Sequence, residues 1–484
     1  MRYQGRTAVV LGLGQTGLSL VRHLVRHGAL VRVADTRPNP PHAAALAARY
    51  SGVPLATGPF TDETLRGADL IAISPGIAKD QPAIAQAVAD GAKLVGDIEL
   101  FARALPADQK VLAITGTNGK TTVTALTGAL TRAAGLRTVV AGNIGDAVLD
   151  VLERHEMGEP FPNVFVLELS SYQLETTDSL KPVAAAVLNV SANHLDRYPG
   201  LADYASAKAR IFTQASVQIL NRDDPIVRLM RLPGRTLQTF GAGVPHSEEE
   251  WGLVERDDGA SPAGPPQGTG SAPPGGSERS ERGGRVWLAR GGELLMPASA
   301  LTLVGRHNAQ NALAALALAS SVAKLSRPML DTLARFEALP HRMEHVAEVG
   351  GVRFINDSKG TTVAATQVAL EGLSQPVVLI AGGDGKGQSF RALKSAVERA
   401  CRAVLLIGRD APQIERGLQG AGVPVETLGT LDRAVARAFE LAQPGDAVLL
   451  SPACASLDQF RDYTERGERF RALVRARMPE AAHA

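Results

Sequence analysis

The stretch Ala113-Ile114-Thr115-Gly116-Thr117-Asn118-Gly119-Lys120-Thr121-Thr122 joins the apolar run 111–114 to a helix-forming run that begins at Thr121. It reads as a strand, a Gly-rich loop and a helix. Backbone N–H groups in such a loop, with the positive end of the helix dipole behind them, make a cradle for phosphate. Lys120 then reaches the terminal phosphates, and the Thr121 hydroxyl ligates Mg²⁺. The match to the strict phosphate-loop pattern is incomplete, because Ile114 stands where the first Gly belongs. The plain alternative is a tight strand-to-helix turn with an exposed lysine. ATP binding is the better reading.

Outward from this loop, short β-branched runs alternate with Ala/Leu-rich helical segments almost throughout, the pattern of doubly wound α/β domains. The 484 residues suit about three domains. A first unit includes strand segments 8–13, 30–34 and 70–74 and ends near Ile98. A second opens with 111–114 and continues through 138–141, 164–169, 184–190 and 217–220. A third follows Leu339-Pro340-His341-Arg342, with strands expected at 352–355, 377–380, 404–407 and 447–450. Residues 257–284 break the pattern. They are rich in Gly, Pro, Ser and charge, and such a composition cannot bury enough surface to offset its ordering entropy. Flanked by the strand-like runs 251–254 and 285–288, they read as a disordered surface insertion that expands a hairpin loop.

Composition excludes several classes. With 45% hydrophobic and 21% charged residues the chain is an ordinary globular protein. A net charge of +2 is too small to imply a nucleic-acid or membrane partner. The two cysteines, Cys401 and Cys454, exclude a disulfide framework and fit a reducing cytoplasm. Residues 7–13 read as a strand interrupted by glycine, not as a signal peptide, and no run of about 18 uncharged apolar residues suggests a membrane span.

Gly12-Leu13-Gly14-Gln15-Thr16-Gly17 is a complete G-x-G-x-x-G between a strand and a helix, and Asp35 ends the next strand. Alone it points to an NAD-dependent oxidoreductase. The motif itself only allows close backbone approach to a pyrophosphate, and many nucleotides carry one. Thr36, Arg37 and Ser74-Pro75-Gly76 fall at strand ends that gather around one site. A nucleotide diphosphate with a bulky extension suits it, and a glycine turn used for packing is the plain alternative.

Glu168 lies near the C-terminal end of the run 164–169, a costly place for a carboxylate unless something positive meets it. Mg²⁺ on the loop-bound phosphates is the natural partner. Asn189-Val190-Ser191-Ala192-Asn193-His194-Leu195-Asp196 sets His194 just beyond another strand, within reach of the same site. Lys208, in the helical run 204–212, is by itself an ordinary solvated lysine.

Together these segments resemble the ATP-dependent Mur ligases of bacterial cell-wall synthesis, over nearly the whole chain apart from the insertion. Gly116-Thr117-Asn118-Gly119-Lys120-Thr121-Thr122 resembles the family's phosphate loop, which accounts for the missing first Gly. The runs 167–175 and 189–198 resemble the two segments that follow it. Gly305-Arg306-His307-Asn308-Ala309-Gln310-Asn311-Ala312 and 339–344 resemble features on the adenine side. The runs 356–362, 382–386 and 451–460 are similar to the branch that adds D-glutamate.

The resemblance implies three domains: an N-terminal Rossmann-like unit over 1–98, a central P-loop ATPase-like parallel sheet over 99–338, and a C-terminal Rossmann-like unit over 339–484. It implies a cytoplasmic, monomeric enzyme of peptidoglycan precursor synthesis, and so of cell shape and division. This enzyme joins D-glutamate to UDP-N-acetylmuramoyl-L-alanine through an acyl phosphate, at the expense of ATP, with one or two Mg²⁺ ions. By the same resemblance Gly116, Thr117, Asn118, Gly119, Lys120, Thr121, Thr122, Asn308, Asn311, Arg342 and Asp357 bind ATP. Gln15, Thr16, Asp35, Thr36, Arg37, Gly76, Asn143, Ser170, Gln173 and His194 hold the UDP-substrate. Thr361, Lys386, Ser456, Leu457 and Tyr463 surround D-glutamate, although similar proteins often have Phe at the place of Tyr463. Lys120, Glu168, His194, Lys208 and Lys359 are the implied catalytic residues, and Thr121, Glu168, His194 and Lys208, the last as a CO₂-derived carbamate, the metal-site residues. Another amino-acid-adding ligase, such as a folylpolyglutamate synthase, an NAD-dependent oxidoreductase and a non-catalytic nucleotide-binding regulator are the competing readings.

Overall fold

The computed structural model describes residues 2–191, 197–256, 285–303, 305–337, 339–373 and 375–481. Three sheets follow one another along the chain. The first comprises β1 (Thr7–Leu11), β2 (Leu30–Asp35), β3 (Leu55–Thr57), β4 (Leu70–Ile73) and β5 (Lys93–Val95). Its order is β3-β2-β1-β4-β5 and every pair is parallel, so the chain reverses direction of winding between β1 and β4. In such sheets ligands bind beyond the C-terminal strand ends at that switch point. Asp35, Ser74 and the glycine loop after β1 all lie there.

The second sheet contains β6 (Lys110–Thr115), β7 (Thr138–Gly142), β8 (Val164–Glu168), β9 (Ala184–Val187), β10 (Val217–Asn221), β11 (Thr236–Phe240), β12 (Glu250–Arg256), β13 (Arg285–Arg290) and β14 (Glu293–Pro297). Its order is β14-β13-β12-β11-β10-β9-β6-β8-β7. The strands from β6 to β12 are parallel, while β13 and β14 extend the sheet antiparallel. β6 shows why its run is continuously apolar. Val111 and Ala113 enter one core cluster, and Leu112 and Ile114 enter another on the opposite face. A parallel strand covered on both sides has no polar face to spare. The helix Lys120–Ala133 brings Val123, Leu126 and Leu130 to the second of these clusters, beside the helix Arg306–Ser320. The insertion expected at 257–284 lies outside the described residues, and its flanks pair as a hairpin with Arg256 opposite Arg285.

The third sheet holds β15 (Glu344–Val349), β16 (Val352–Asn356), β17 (Val377–Gly382), β18 (Cys401–Ile407), β19 (Val425–Gly429) and β20 (Ala447–Leu450), in the order β15-β16-β20-β17-β18-β19. Only the edge strand β15 runs antiparallel. Among the described residues its two core clusters draw on none before Val346 except the flanking Met343. The first sheet, by contrast, shares a cluster with the second, in which Leu20, Leu24 and Val31 join Phe101, Leu149, Leu152 and Phe165. Ion pairs reinforce that contact. Arg22 meets Asp150 at 2.9 Å and Arg26 meets Glu153 at 3.2 Å, from the helix Gln15–Arg26 to the helix Val148–Glu156.

One strand is shorter than its apolar run. The sequence extends the strand from 184 to 190, but β9 stops at Val187. Beyond it Asn189 turns to bind the phosphate loop: its carbonyl accepts from Thr117 N at 2.9 Å and its Oδ1 from Asn118 N at 2.8 Å.

Candidate active site

The phosphate loop leaves β6 at Thr115 and enters its helix at Lys120. Gly116 has φ 159° and Gly119 φ 80°. At Gly119 a side chain would be strained, and its Cβ would also sit 2.7 Å from Asn311 Oδ1. The loop is therefore pressed against the helix Arg306–Ser320, where Asn311 Nδ2 donates to Asn308 Oδ1 at 3.2 Å. Lys120 Nζ curls back to the carbonyls of Gly116 and Thr117, at 2.8 and 2.9 Å. Lys208 reaches the same loop from the helix Leu201–Ala209, with Nζ 2.9 Å from Gly116 O and 3.4 Å from Thr115 Oγ1. Thr122 is buried in the first turn of the loop's helix.

Glu168 ends β8 and is buried. Its Oε1 accepts from Asn143 Nδ2 at 2.9 Å, and the backbone N–H of Asn143 donates to Glu168 O at 2.8 Å. Its Oε2 is buried with no hydrogen-bond partner among the described residues. A buried carboxylate oxygen left unpaired calls for a positive partner. With the Thr121 hydroxyl in the first turn of the loop's helix, this fits a divalent cation held between protein and phosphates. Among the described residues no group of three or more His, Cys, Asp or Glu gathers to hold a metal unaided. His194 lies outside the described residues.

Cations from the third sheet complete the cleft. Arg342 and Lys359 both donate to Thr121 Oγ1, Lys359 at 3.4 Å. Residues flanking Arg342 adopt left-handed backbone, His341 at φ 64° and Met343 at φ 47°. Asp357 accepts from Ser451 Oγ at 2.8 Å and from Met343 N at 3.3 Å. Burial pushes its carboxyl up to about 6. Burial also brings Lys120 and Lys359 down to about 8, with neighbouring Arg342 adding to both shifts. Lys208 falls well below the usual lysine range, first through burial and then through Lys120. Lys120, Lys359 and Arg342 thus face two carboxylates, with the Lys208 amine beside them, a field matched to a polyanion.

Beyond β1, Asp35 accepts from Leu13 N at 2.7 Å and from the Arg37 guanidinium at 2.8 and 2.6 Å. That pairing holds its carboxyl down at about 2. A Cβ on Gly17 would overlap the Gly12 carbonyl, so the helix packs on the loop only with glycine there. Thr36, Arg37, Gln15 and Gly76 are exposed around this end, and Thr16 partly so. Ser170 and Gln173 have an internal use. They form a capping box, and Gln173 Nε2 donates to the buried Asp97 at 3.1 Å.

On the third sheet, loops 382–386 and 451–457 are joined by a bridge between Asp384 and Ala455. Lys386 has φ 49° and an exposed side chain, Ser456 is buried, and Leu457 is 65% exposed. Thr361 is half-buried, and Tyr463 carries Lys359 Nζ 5.0 Å from its ring centre. Arg466, on the helix Tyr463–Ala481, is fully buried and donates to Ser358 Oγ, Ser358 O and Cys454 O, tying the segment after β16 to the loop 451–457. Sequence reasoning passed over Arg466 and also Arg197, because neither lies in a motif whose chemistry names an arginine.

Three family models match the chain: the Mur ligase MurD-like N-terminal domain over residues 6–96, the Mur ligase middle domain over 114–319, and the Mur ligase glutamate ligase domain over 341–454. A curated UDP-N-acetylmuramoylalanine--D-glutamate ligase of Thiobacillus denitrificans is 50% identical, across 97% of this chain and 96% of its own length. The protein of that name from Nitrosospira multiformis is also 50% identical, across 98% and 96%. Among solved structures, MurF from Acinetobacter baumannii aligns over 99% of this chain and 91% of its own, with TM-score 0.60 and 16% identity. A pseudomurein peptide ligase type C from Methanothermus fervidus aligns over 98% and 100%, with TM-score 0.57 and 18% identity. These two share the three-domain fold. With family models along its length and relatives at half identity from end to end, the chain belongs to the Mur ligases, a family of ATP-dependent ligases.

Proposed function

We propose that this enzyme joins D-glutamate to UDP-N-acetylmuramoyl-L-alanine, forming an amide while ATP is split to ADP and phosphate. The meeting of Arg342 and Lys359 with Thr121 of the phosphate loop carries the reading, because it brings amino-acid-side loops and nucleotide loop into one cleft. The choice of D-glutamate rests on the two relatives' shared name and identity. Divisions near residues 98 and 338 belong to the same reading, as do a monomeric state and a cytoplasmic location. No helix among the described residues is long and apolar enough to cross a membrane.

A carboxylate is a poor electrophile, so the γ-phosphoryl group is first transferred to the alanyl carboxylate. Lys120, released from the loop carbonyls by the incoming phosphates, neutralises charge that spreads over the transferring oxygens. Arg342 and Lys359 add to that field from the opposite wall. Mg²⁺, when bound, screens the phosphate oxygens, and Thr121 and Glu168 are the residues to hold it, with His194 and a carbamylated Lys208 in support. The amine of D-glutamate, held by Thr361, Lys386, Ser456, Leu457 and Tyr463, then attacks the acyl phosphate and phosphate leaves. Asn308, Asn311 and Asp357 bind the nucleotide, and Gln15, Thr16, Asp35, Thr36, Arg37, Gly76, Asn143, Ser170 and Gln173 serve the UDP-sugar. Closure of the third unit excludes water that would hydrolyse the acyl phosphate. The test is ADP release with UDP-N-acetylmuramoyl-L-alanine and either D- or L-glutamate. Release with the D-isomer and little with the L-isomer is expected; equal rates, or none with either, overturn the assignment.

A further inference from the structure

A row of stacked side chains, of which the chemistry above uses only Lys208, runs between the two nucleotide loops. Lys208 Nζ lies 4.5 Å from the centre of the Tyr204 ring. Tyr204 is 5.3 Å from Tyr198, and Tyr198 stacks on Tyr172 at 6.1 Å. Arg197 closes the row with its guanidinium carbon 4.1 Å from the Tyr172 ring centre. Three rings therefore stand between the Lys208 amine and the Arg197 guanidinium.

Each end is fastened to a loop that faces a substrate. At one end Tyr204 OH lies 3.4 Å from Thr117 Oγ1, and Lys208 holds Gly116 O. At the other, Arg197 Nη1 donates to Pro75 O at 2.9 Å, and Nη2 to Glu175 Oε2 at 3.1 Å. Pro75 belongs to the turn after β4, and the neighbouring Ser74 Oγ donates to Gly12 O at 3.1 Å. Arg197 and Glu175 are 14% and 7% exposed, so the pair is shielded from solvent competition.

We propose that Arg197 is a positioning residue, a strut that sets the turn 74–76, and with it the UDP-sugar, at a fixed distance from the phosphate loop. Phosphoryl transfer needs the carboxylate oxygen about 3–3.5 Å from phosphorus, and misplacement by about 1 Å can cost a hundredfold. The two reactants are held on different sheets, so something must fix the spacing between them. A guanidinium suits the task because one planar group can stack on a ring while donating to a carbonyl and a carboxylate. An ammonium cannot do all three at once.

The inference rests on the function proposed above, and the experiment separates the two. Steady-state rates are measured with ATP, UDP-N-acetylmuramoyl-L-alanine and D-glutamate, scoring both ADP and amide. A wild type that makes no amide from these substrates overturns the assigned reaction. Given an active wild type, Arg197→Ala is expected to raise KM for the UDP-substrate about tenfold or more while leaving KM for ATP within about twofold. ADP released per amide formed should rise above one, as misaligned acyl phosphate meets water. Arg197→Lys should not rescue. Tyr172→Leu, which removes the ring under the guanidinium, should reproduce the KM split even if Arg197→Ala does not fold. Unchanged KM with coupled stoichiometry in Arg197→Ala or Tyr172→Leu, or equal rises in both KM values, overturns the strut.

Discussion

Lys208 brings its ammonium into a buried place where Gly116 O and the Tyr204 ring are its neighbours and Lys120 opposes its charge. Such an amine is biased toward its neutral, nucleophilic form, the form that takes up CO₂. Lys208→Ala is therefore expected to lower turnover about a hundredfold or more, on the scale of losing one electrostatic group in a dry site. Short carboxylates such as formate should restore part of it, and stripping bicarbonate should lower wild-type activity reversibly. A fully active Lys208→Ala would reduce the lysine to a packing role. Asp97 offers a second residue-scale test. Burial raises its carboxyl to about 6, and its Oδ1 has no hydrogen-bond partner among the described residues. Because the folded value lies above the unfolded one, ionisation opposes folding. Stability should fall as pH rises from about 4 to about 6 and stay lower beyond. Asp97→Asn should remove that slope and stabilise the protein at pH 7 by on the order of 2 kcal/mol, read as a higher Tm. An unchanged pH profile of Tm would show that Asp97 is not its source.

At the scale of elements, legibility followed physical cause. The phosphate loop could be read from sequence because Gly116 and Gly119 occupy backbone conformations that other residues enter at a cost, and because Lys120 and Thr121 have one chemistry in that context. The long parallel strands were readable from their two-sided burial. The short strands β3, β5 and β19 were not, since three to five residues at a sheet margin leave little periodic signal. Ser170-Ser171-Tyr172-Gln173 carries a capping-box pattern that marks a helix start, yet resemblance drew attention to ligand contact instead. Arg197 was invisible for a different reason. Its partners Pro75 and Glu175 are brought to it only by tertiary folding. The β12–β13 pair also yields a prediction. Arg256 lies directly opposite Arg285, so the chain ends that bound 257–284 are already adjacent. Replacing those residues with a Gly-containing turn of about two to five residues, the usual hairpin length, should preserve turnover within about twofold of wild type, because β12 and β13 are already paired where the turn would join them. A large loss of turnover would give the segment a role of its own.

For the whole molecule, the division of the hydrophobic cores matters more than the number of sheets. The first and second sheets share one cluster, from Leu20 and Leu24 to Phe165 and Leu167, whereas the clusters around the third sheet are its own. Cooperative melting follows continuity of buried apolar surface, so two calorimetric units are expected where the fold has three sheets. Differential scanning calorimetry of the ligand-free protein should show two transitions. Mutations at the Arg22–Asp150 contact should shift only one, and mutations around Phe354 only the other. Three transitions, or one that no mutation divides, would contradict this. The polar bridge from Arg342 and Lys359 to Thr121 joins the two units, whose buried clusters are separate among the described residues. Nucleotide bound across that bridge should draw the two transitions together as its concentration rises. The heat-capacity trace would then report on catalytic closure without any turnover: the same few cations that wait for phosphate also decide whether the chain melts as one body or as two.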